Sequence, residues 1–82
     1  MKLFVANFEK DITEEELEEL FLPFGKVSYV QIWRDFESCE SRGFGFVEMP
    51  DDYWAEQAIE TLDKTYWRGK RLKVSKARDQ RW

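Results

Sequence analysis

The sequence predicts an α+β domain in which a four-stranded antiparallel sheet carries two helices on one face. Two observations lead to this prediction: four segments alternate apolar and polar residues as strands do, and two segments repeat apolar residues as helices do. Their order along the chain is strand, helix, strand, strand, helix, strand. At 82 residues the chain is long enough for one such domain and too short for two.

The first predicted strand shows the alternation most simply. Leu3 and Val5 lie on one face, and their aliphatic side chains belong in the core. Lys2, Phe4 and Ala6 lie on the other face. The strand therefore leaves one aromatic ring on the side away from the core.

The first helix is predicted to begin at a capping box. Thr13 occupies the N-cap, and the side chain of Glu16 reaches back to it. Pro23 in the last turn and Gly25 just beyond it indicate where the helix ends. Its apolar stripe consists of Leu17, Leu20, Phe21 and Phe24.

The second strand is predicted over residues 26–33, with Val30 and Ile32 on the core side. The side chains left on the face of the first aromatic ring are Tyr29, Gln31 and Trp33. Two interpretations of Trp33 remain open, because it could bind a partner on this face or fold over its own loop at the end of the strand.

The third strand, residues 42–49, has the most unusual alternation. One face carries Arg42, Phe44, Phe46 and Glu48, and the other carries Gly43, Gly45, Val47 and Met49. Two large rings thus occupy positions where a half-buried strand normally meets water, and a binding partner explains them best. The two glycines predict that a helix lies close against the opposite side.

The second helix is predicted to begin at an aspartate cap, because Asp51 and Asp52 follow Pro50. Its buried stripe consists of Ala55, Ala58, Ile59 and Leu62. Tyr53 and Trp54 both lie in the first turn, where both cannot face the core. We expect one of them to be exposed, either as a ring over the helix end or as a protein contact.

The last strand is predicted over residues 71–75, with Leu72 and Val74 in the core. The side chains expected on the aromatic face are Arg71, Lys73 and Ser75. Trp67, just before this strand, is interpreted as a lid over the core, with base stacking as the alternative. We place the domain at residues 1–77 and expect a mobile basic tail over residues 78–82.

The residue types present exclude several kinds of chemistry. The chain has no histidine, which removes the commonest metal ligand and general base. Its single cysteine, Cys39, has no partner for a disulfide or a zinc site, so we predict no catalytic residue, no metal and no cofactor. The chain starts without an apolar segment long enough for a secretory signal or a membrane span, which predicts a cytoplasmic protein.

The charges are distributed unevenly along the chain. The net charge is −4, which is unusual for a nucleic-acid-binding protein. Residues 1–63 carry 16 acidic and 5 basic side chains, whereas residues 64–82 carry 8 basic and 1 acidic. A local basic strip can therefore act on a bound strand, because salt screens the more distant acidic charges over about 10 Å.

Two strands of the chain resemble those of the RNA recognition motif family. The family octapeptide reads Lys/Arg-Gly-Phe/Tyr-Gly/Ala-Phe-Val-x-Phe/Tyr, and residues 42–49 match it at seven of eight positions. The exception is Met49, which the alternation places in the core. Residues 3–8 look like the accompanying hexapeptide, and the resemblance is strongest to short stand-alone bacterial RNA-binding proteins of cyanobacterial type.

The resemblance implies a ferredoxin-like split βαβ fold in which the first and third strands are central neighbours. It also implies that Phe4 and Phe46 stack two successive bases, that Phe44 inserts against the sugars and that Arg42 pairs with a phosphate. By position we add further candidates for RNA binding, which are Lys2, Tyr29, Gln31, Trp33, Lys73, Ser75, Lys76 and Arg78. The loop at residues 34–41 departs from the family pattern because it is mostly acidic and polar.

The predicted function is single-stranded RNA binding by a monomer, in post-transcriptional regulation or RNA chaperoning, with single-stranded DNA left open as a ligand. The alternative is a protein-interaction module that uses the acidic first helix. An acylphosphatase-like enzyme is disfavoured, because residues 7–11 carry acids where such an enzyme needs an arginine-bearing phosphate loop.

Overall fold

The computed structural model describes residues 1–34 and 41–77, and of Ser41 and Arg42 it describes the backbone alone. The strands of the described chain are β1 (Lys2–Ala6), β2 (Tyr29–Arg34), β3 (Ser41–Glu48), β4 (Tyr66–Trp67), β5 (Lys70–Arg71) and β6 (Lys73–Lys76). Its helices are α1 (Glu14–Phe21) and α2 (Asp52–Leu62), and a 3₁₀ turn at Leu22–Phe24 follows α1 directly. The acidic loop around Cys39 lies outside the described residues, as does the predicted tail.

The main sheet is antiparallel, with the strand order β2-β3-β1-β6. β1 and β3 are the central pair, and their register places Phe4 opposite Phe46. β6 lies on the other side of β1, with Val74 opposite Val5. The predicted ferredoxin-like βαββαβ fold is confirmed, and β4 pairs with β5 in a separate short ribbon before the last strand.

The core lies between the sheet and the two helices, and it contains the aliphatic positions that the alternation selects. Leu3, Val5 and Val47 are fully buried on the helix side of β1 and β3. The helices contribute Leu17, Phe21, Ala55 and Ala58. Met49 is also fully buried, as the alternation predicts. Burial of each large aliphatic side chain contributes about 1.5–3 kcal/mol to the free energy of folding.

Both helices begin at the predicted caps. Glu16 N donates to Thr13 Oγ1 at 3.2 Å, and Thr13 N donates back to Glu16 Oε1 at 3.0 Å. That backbone hydrogen bond lowers the pKa of the Glu16 carboxyl from its ordinary value, and the nearby Arg68 guanidinium lowers it further. At α2, Asp51 Oδ1 accepts from the backbone N–H groups of Tyr53 and Trp54 at 3.0 and 3.3 Å.

The two glycines of β3 let neighbouring backbone segments approach the strand closely. The prediction that they make room for a helix is wrong. A Cβ atom on Gly45 would lie 2.3 Å from Gln31 O and 3.0 Å from Ile32 Cα, so this glycine lets β2 approach β3. Gly43 has a φ of +79°, in the left-handed region that favours glycine, and a Cβ there would lie 3.2 Å from Phe8 O.

The chain after α2 differs from the prediction in two places. Arg71 belongs to the β4–β5 ribbon, where its Nε donates to Lys64 O at 3.2 Å, so it does not extend the face of the main sheet. The last strand starts two residues later than predicted and includes Lys76, which pairs with Leu3. Trp67 is partly buried and packs against the core, as a lid would.

The first turn of α2 exposes both of its aromatic residues. Tyr53 is 62% exposed and Trp54 is 44% exposed, whereas the sequence predicts one exposed ring. Their rings contact each other edge to face at 5.0 Å between centroids. No helix within residues 1–34 and 41–77 is long and apolar enough to cross a membrane. Within the same ranges, no group of three or more His, Cys, Asp or Glu side chains could hold a metal ion.

Candidate nucleic-acid interface

Four aromatic rings form one connected cluster on the sheet face opposite the core, and we call this cluster the aromatic patch. Its members are Phe4, Trp33, Phe44 and Phe46. The ring centroid of Phe4 lies 5.9 Å from that of Phe44 and 5.6 Å from that of Phe46. The three phenylalanines are half-buried, because each ring covers part of its neighbours.

The pairing of β1 with β3 brings the three phenylalanines together. Phe4 and Phe46 are direct cross-strand partners, and Ala6, two residues along β1, is the partner of Phe44. Val5 and Gly45 pair between them, and Val5 points to the buried side. The rings therefore share a face because side chains alternate along a strand, and the small Ala6 leaves room beside Phe44.

Trp33 belongs to the aromatic patch. Its ring is stacked with Phe44 at 6.0 Å between centroids and 22° between planes, and it meets Phe46 edge on at 6.3 Å. The side chain keeps 43% of its surface exposed. The pairing of β2 with β3 shifts register between Ile32 and Arg34, at the position of this residue. Of the two interpretations left open by the sequence, the structure favours the ring on the open face.

Polar and cationic side chains surround the patch. Lys2 Nζ lies 4.7 Å from the ring centroid of Phe46, within the range of a cation–π interaction. Gln31 is the cross-strand partner of Phe46, and Ser75 is the partner of Phe4. Each of the two central rings thus has a hydrogen-bonding side chain next to it. Lys73, two residues before Ser75 on β6, pairs with Ala6.

The remaining predicted site residues lie further from the patch or outside the described part. Tyr29 is half-exposed and pairs with Glu48 at the end of β2. Lys76 is exposed, but alternation puts it on the helix side of β6 with Val74. The side chain of Arg42 and the whole of Arg78 lie outside the described residues.

A recess adjoins the patch where β1 ends, and we call it the end recess. It has a volume of about 290 Å³, and the rings of Phe4 and Phe44 form part of its wall. Lys10 and Lys70 line it as well, although sequence analysis did not select either of them. They are 60 positions apart in the chain, and neither has a local motif, so only the folded arrangement brings them together.

The fold and the site together define a class of domain: a βαββαβ sheet whose open face presents aromatic rings to a ligand. The family model of the RNA recognition motif matches residues 3–73, and the chain belongs to this family. The match begins at Leu3 in β1, includes all of β3 and ends at Lys73, the first residue of β6.

Similar proteins carry the same fold and related sequences. A cyanobacterial protein from Nostoc sp. (strain PCC 7120), named "Putative RNA-binding protein RbpB", is 46% identical over 78 residues, which cover 95% of this chain and 76% of the relative. The crystal structure of RNA binding protein PG1 superposes with a TM-score of 0.95 at 36% identity and covers 100% of this chain and 99% of that one. The Sxl-lethal protein in complex with RNA superposes with a TM-score of 0.90 at 35% identity, covering 96% of this chain and 47% of that one.

Proposed function

We propose that this protein binds single-stranded RNA on the aromatic patch. The observation that carries the proposal is the connected cluster of four rings on a sheet face that the core does not use. Unpaired bases stack on aromatic rings, and each stacked base contributes about 1–3 kcal/mol to the free energy of binding. Duplex RNA hides the faces of its bases, so a single strand is the better ligand.

The individual roles that we propose are those that the family resemblance implies, and the geometry of the patch supports them. Phe4 and Phe46 serve as platforms for two successive bases, and Phe44 contacts the sugars between them. Gln31 and Ser75 stand next to the platforms and are placed to read base edges. These platforms would supply roughly 2–6 kcal/mol of stacking before the cost of ordering the strand.

Phosphate contacts complete the proposed interface. Lys2 now lies over the ring of Phe46, and a base that stacks there displaces its ammonium toward the phosphate backbone. An exposed cation–π contact is worth about 0.5–1 kcal/mol, which is less than the stacking that replaces it. Lys73 projects from the same face, and Lys76, Arg42 and Arg78 remain candidates for phosphate contacts at its margins.

We further propose that the protein acts by binding and not by catalysis, as a cytoplasmic monomer in post-transcriptional regulation or RNA chaperoning. Single-stranded DNA offers the same base faces, so it should compete, although less strongly if contacts to the 2′-hydroxyl contribute. Protein binding through the acidic helix is not favoured. Glu14 and Glu16 pair with the chain's own Arg34 and Arg68 at 2.6 and 2.8 Å, and the sheet keeps its rings.

The proposal is tested by fluorescence anisotropy with a labelled single-stranded RNA decamer of mixed sequence. The variant Phe4→Ala/Phe46→Ala should lose at least 25-fold in affinity, since each ring supplies at least about 1 kcal/mol. The matched control is Tyr53→Ala/Tyr66→Ala, which removes two exposed rings outside the patch. Equal binding by a folded Phe4→Ala/Phe46→Ala variant and the wild type would refute the proposal.

A further inference from the structure

The end recess adjoins the aromatic patch and carries two ammonium groups. Its wall includes the rings of Phe4 and Phe44, so it shares two members with the patch. Lys10 enters from the connection between β1 and α1, and Lys70 enters from the β4–β5 ribbon. A volume of about 290 Å³ is near the lower end of ligand pockets, which suits one nucleotide unit and not a larger ligand.

Both lysines stand on segments that the fold holds in place. Next to Lys10, Ile12 is buried in the core, and its N–H donates to Glu9 O at 3.2 Å. Next to Lys70, the carbonyl oxygen of Arg71 accepts from Asn7 Nδ2 at 2.7 Å, which ties the ribbon to the end of β1. The positions of the two ammonium groups therefore depend on the same strand end that carries the patch.

Asn7 is suited to this connecting position by its backbone. It has a φ of 67°, in the left-handed region that asparagine tolerates better than most residues. This turn ends β1 directly after Ala6, and the Asn7 N–H donates to Gly43 O at 2.7 Å. The end of β1 is thus fixed to both β3 and the ribbon, and the recess lies between them.

The charges in the recess favour an anion but are partly balanced. Among the described residues, Lys10 is exposed and forms no ion pair, so its ammonium is available to a ligand. Lys70 Nζ lies 3.6 Å from Glu9 Oε1, and both side chains are about half exposed. An arriving phosphate would compete with this carboxylate for Lys70, so Glu9 should weaken anion binding.

We infer that the end recess binds one further nucleotide of the RNA strand, with its phosphate between Lys10 and Lys70. This inference rests on the proposed function, because the strand reaches the recess across the patch. Phe4 and Phe46 are direct partners across β1 and β3, and the ring of Phe4 also lines the recess, so the nucleotide next to the one stacked on Phe4 lies within reach of the recess.

The test measures RNA affinity against salt concentration, using the labelled mixed-sequence decamer. The double variant Lys10→Gln/Lys70→Gln should bind roughly two- to fivefold more weakly at low salt, because exposed charge contacts are individually weak. Its plot of log K against log salt should be shallower by about 0.7, the slope that neutralising one phosphate of a single strand contributes. Circular dichroism verifies the fold, which should be unaffected because both lysines are exposed.

Two further variants sharpen the test. Lys26→Gln removes one positive charge from an exposed lysine just before β2, away from the recess, and should keep the wild-type slope. Glu9→Gln removes the carboxylate that competes for Lys70, so it should strengthen binding by up to about twofold at low salt. An affinity change of the opposite sign on Glu9→Gln would contradict the inference.

The outcomes separate this inference from the proposed function. If Lys10→Gln/Lys70→Gln keeps the wild-type slope while Phe4→Ala/Phe46→Ala loses binding, the recess inference is wrong and the patch proposal stands. If the ring variant binds as the wild type does, both fall. A shallower slope for the lysine pair, with a wild-type slope for Lys26→Gln, supports the recess.

Discussion

The two faces of the central strands use alternate residues of the same chain for different purposes. On the helix side, Leu3, Val5 and Val47 are fully buried and hold the sheet to the helices. On the other side, Phe4 and Phe46 are half-buried against neighbouring rings and keep open ring surface. Burial of the first set stabilises the fold, whereas the second set leaves apolar ring surface that a ligand can bury.

The sharpest test of this contrast compares neighbouring residues on opposite faces of β1. Leu3→Ala should lower the free energy of unfolding by about 2–5 kcal/mol, because it leaves a cavity in the core. Phe4→Ala should cost less stability and weaken RNA binding by about 5- to 150-fold, the equivalent of one stacked base. Urea unfolding and anisotropy measure the two quantities separately.

The controls for this pair come from the same measurements. RNA binding by Leu3→Ala, at a temperature where it stays folded, should match that of the wild type. The contrast between the faces is broken if Phe4→Ala destabilises the protein as much as Leu3→Ala does, or if Leu3→Ala weakens binding while folded.

Gly45→Ala should damage both faces together. Its Cβ would lie 2.3 Å from Gln31 O, so β2 must move away from β3. Steric overpacking of this kind costs about 1–3 kcal/mol of stability, and displacement of β2 also shifts Trp33 and Gln31. The free energy of unfolding and the RNA affinity should therefore both fall, whereas Leu3→Ala and Phe4→Ala on β1 separate the two quantities. A stable Gly45→Ala protein would contradict the close approach.

Trp33→Ala measures how far the open face extends beyond the two central strands. Because Trp33 stacks on Phe44 and stays 43% exposed, its loss should weaken RNA binding by up to about fivefold, the lower end for one stacked base. The matched control is Trp54→Ala, whose ring has similar exposure but lies on α2. Equal effects of the two substitutions would place Trp33 outside the binding surface.

The smallest expected effect comes from Glu16, which serves folding alone. Its folded-state pKa is lowered by the Thr13 backbone hydrogen bond, so its contribution to stability is present above the unfolded pKa and is lost as pH falls through the folded value. Glu16→Gln should thus be slightly less stable than the wild type at neutral pH, and the difference should shrink as the pH falls below the ordinary glutamate pKa and disappear below the lowered pKa of Glu16. Thermal unfolding at several pH values measures it, with RNA binding unchanged.

Alternation along the strands is the part of this fold that sequence predicts best. Leu3, Val47 and Met49 are buried where the alternation of side chains places them. The capping residues Thr13 and Asp51 lie at the starts of the helices. These signals are local, because successive side chains of a strand point to opposite faces and a cap acts within three or four residues. The same alternation places the aromatic rings on the open face.

Features that depend on long-range contacts could not be predicted in this way. The sequence predicts a helix against Gly45, but the backbone of β2 lies there. Only the sheet register reveals which neighbour the missing Cβ atom makes room for. Alternation predicts that Arg71 belongs to the main sheet, but Arg71 pairs in the ribbon and the last strand of the main sheet starts only at Lys73. The end recess has no sequence signal at all, because a loop and a ribbon that are distant in sequence form it.

The position of Lys2 over Phe46 bears on self-association. Two copies that met patch to patch would bring two ammonium groups into a low-dielectric environment, where like charges repel. A polyanion meets the same ammonium with the opposite charge. Lys2 therefore disfavours self-association through the aromatic patch and leaves the patch accessible to RNA.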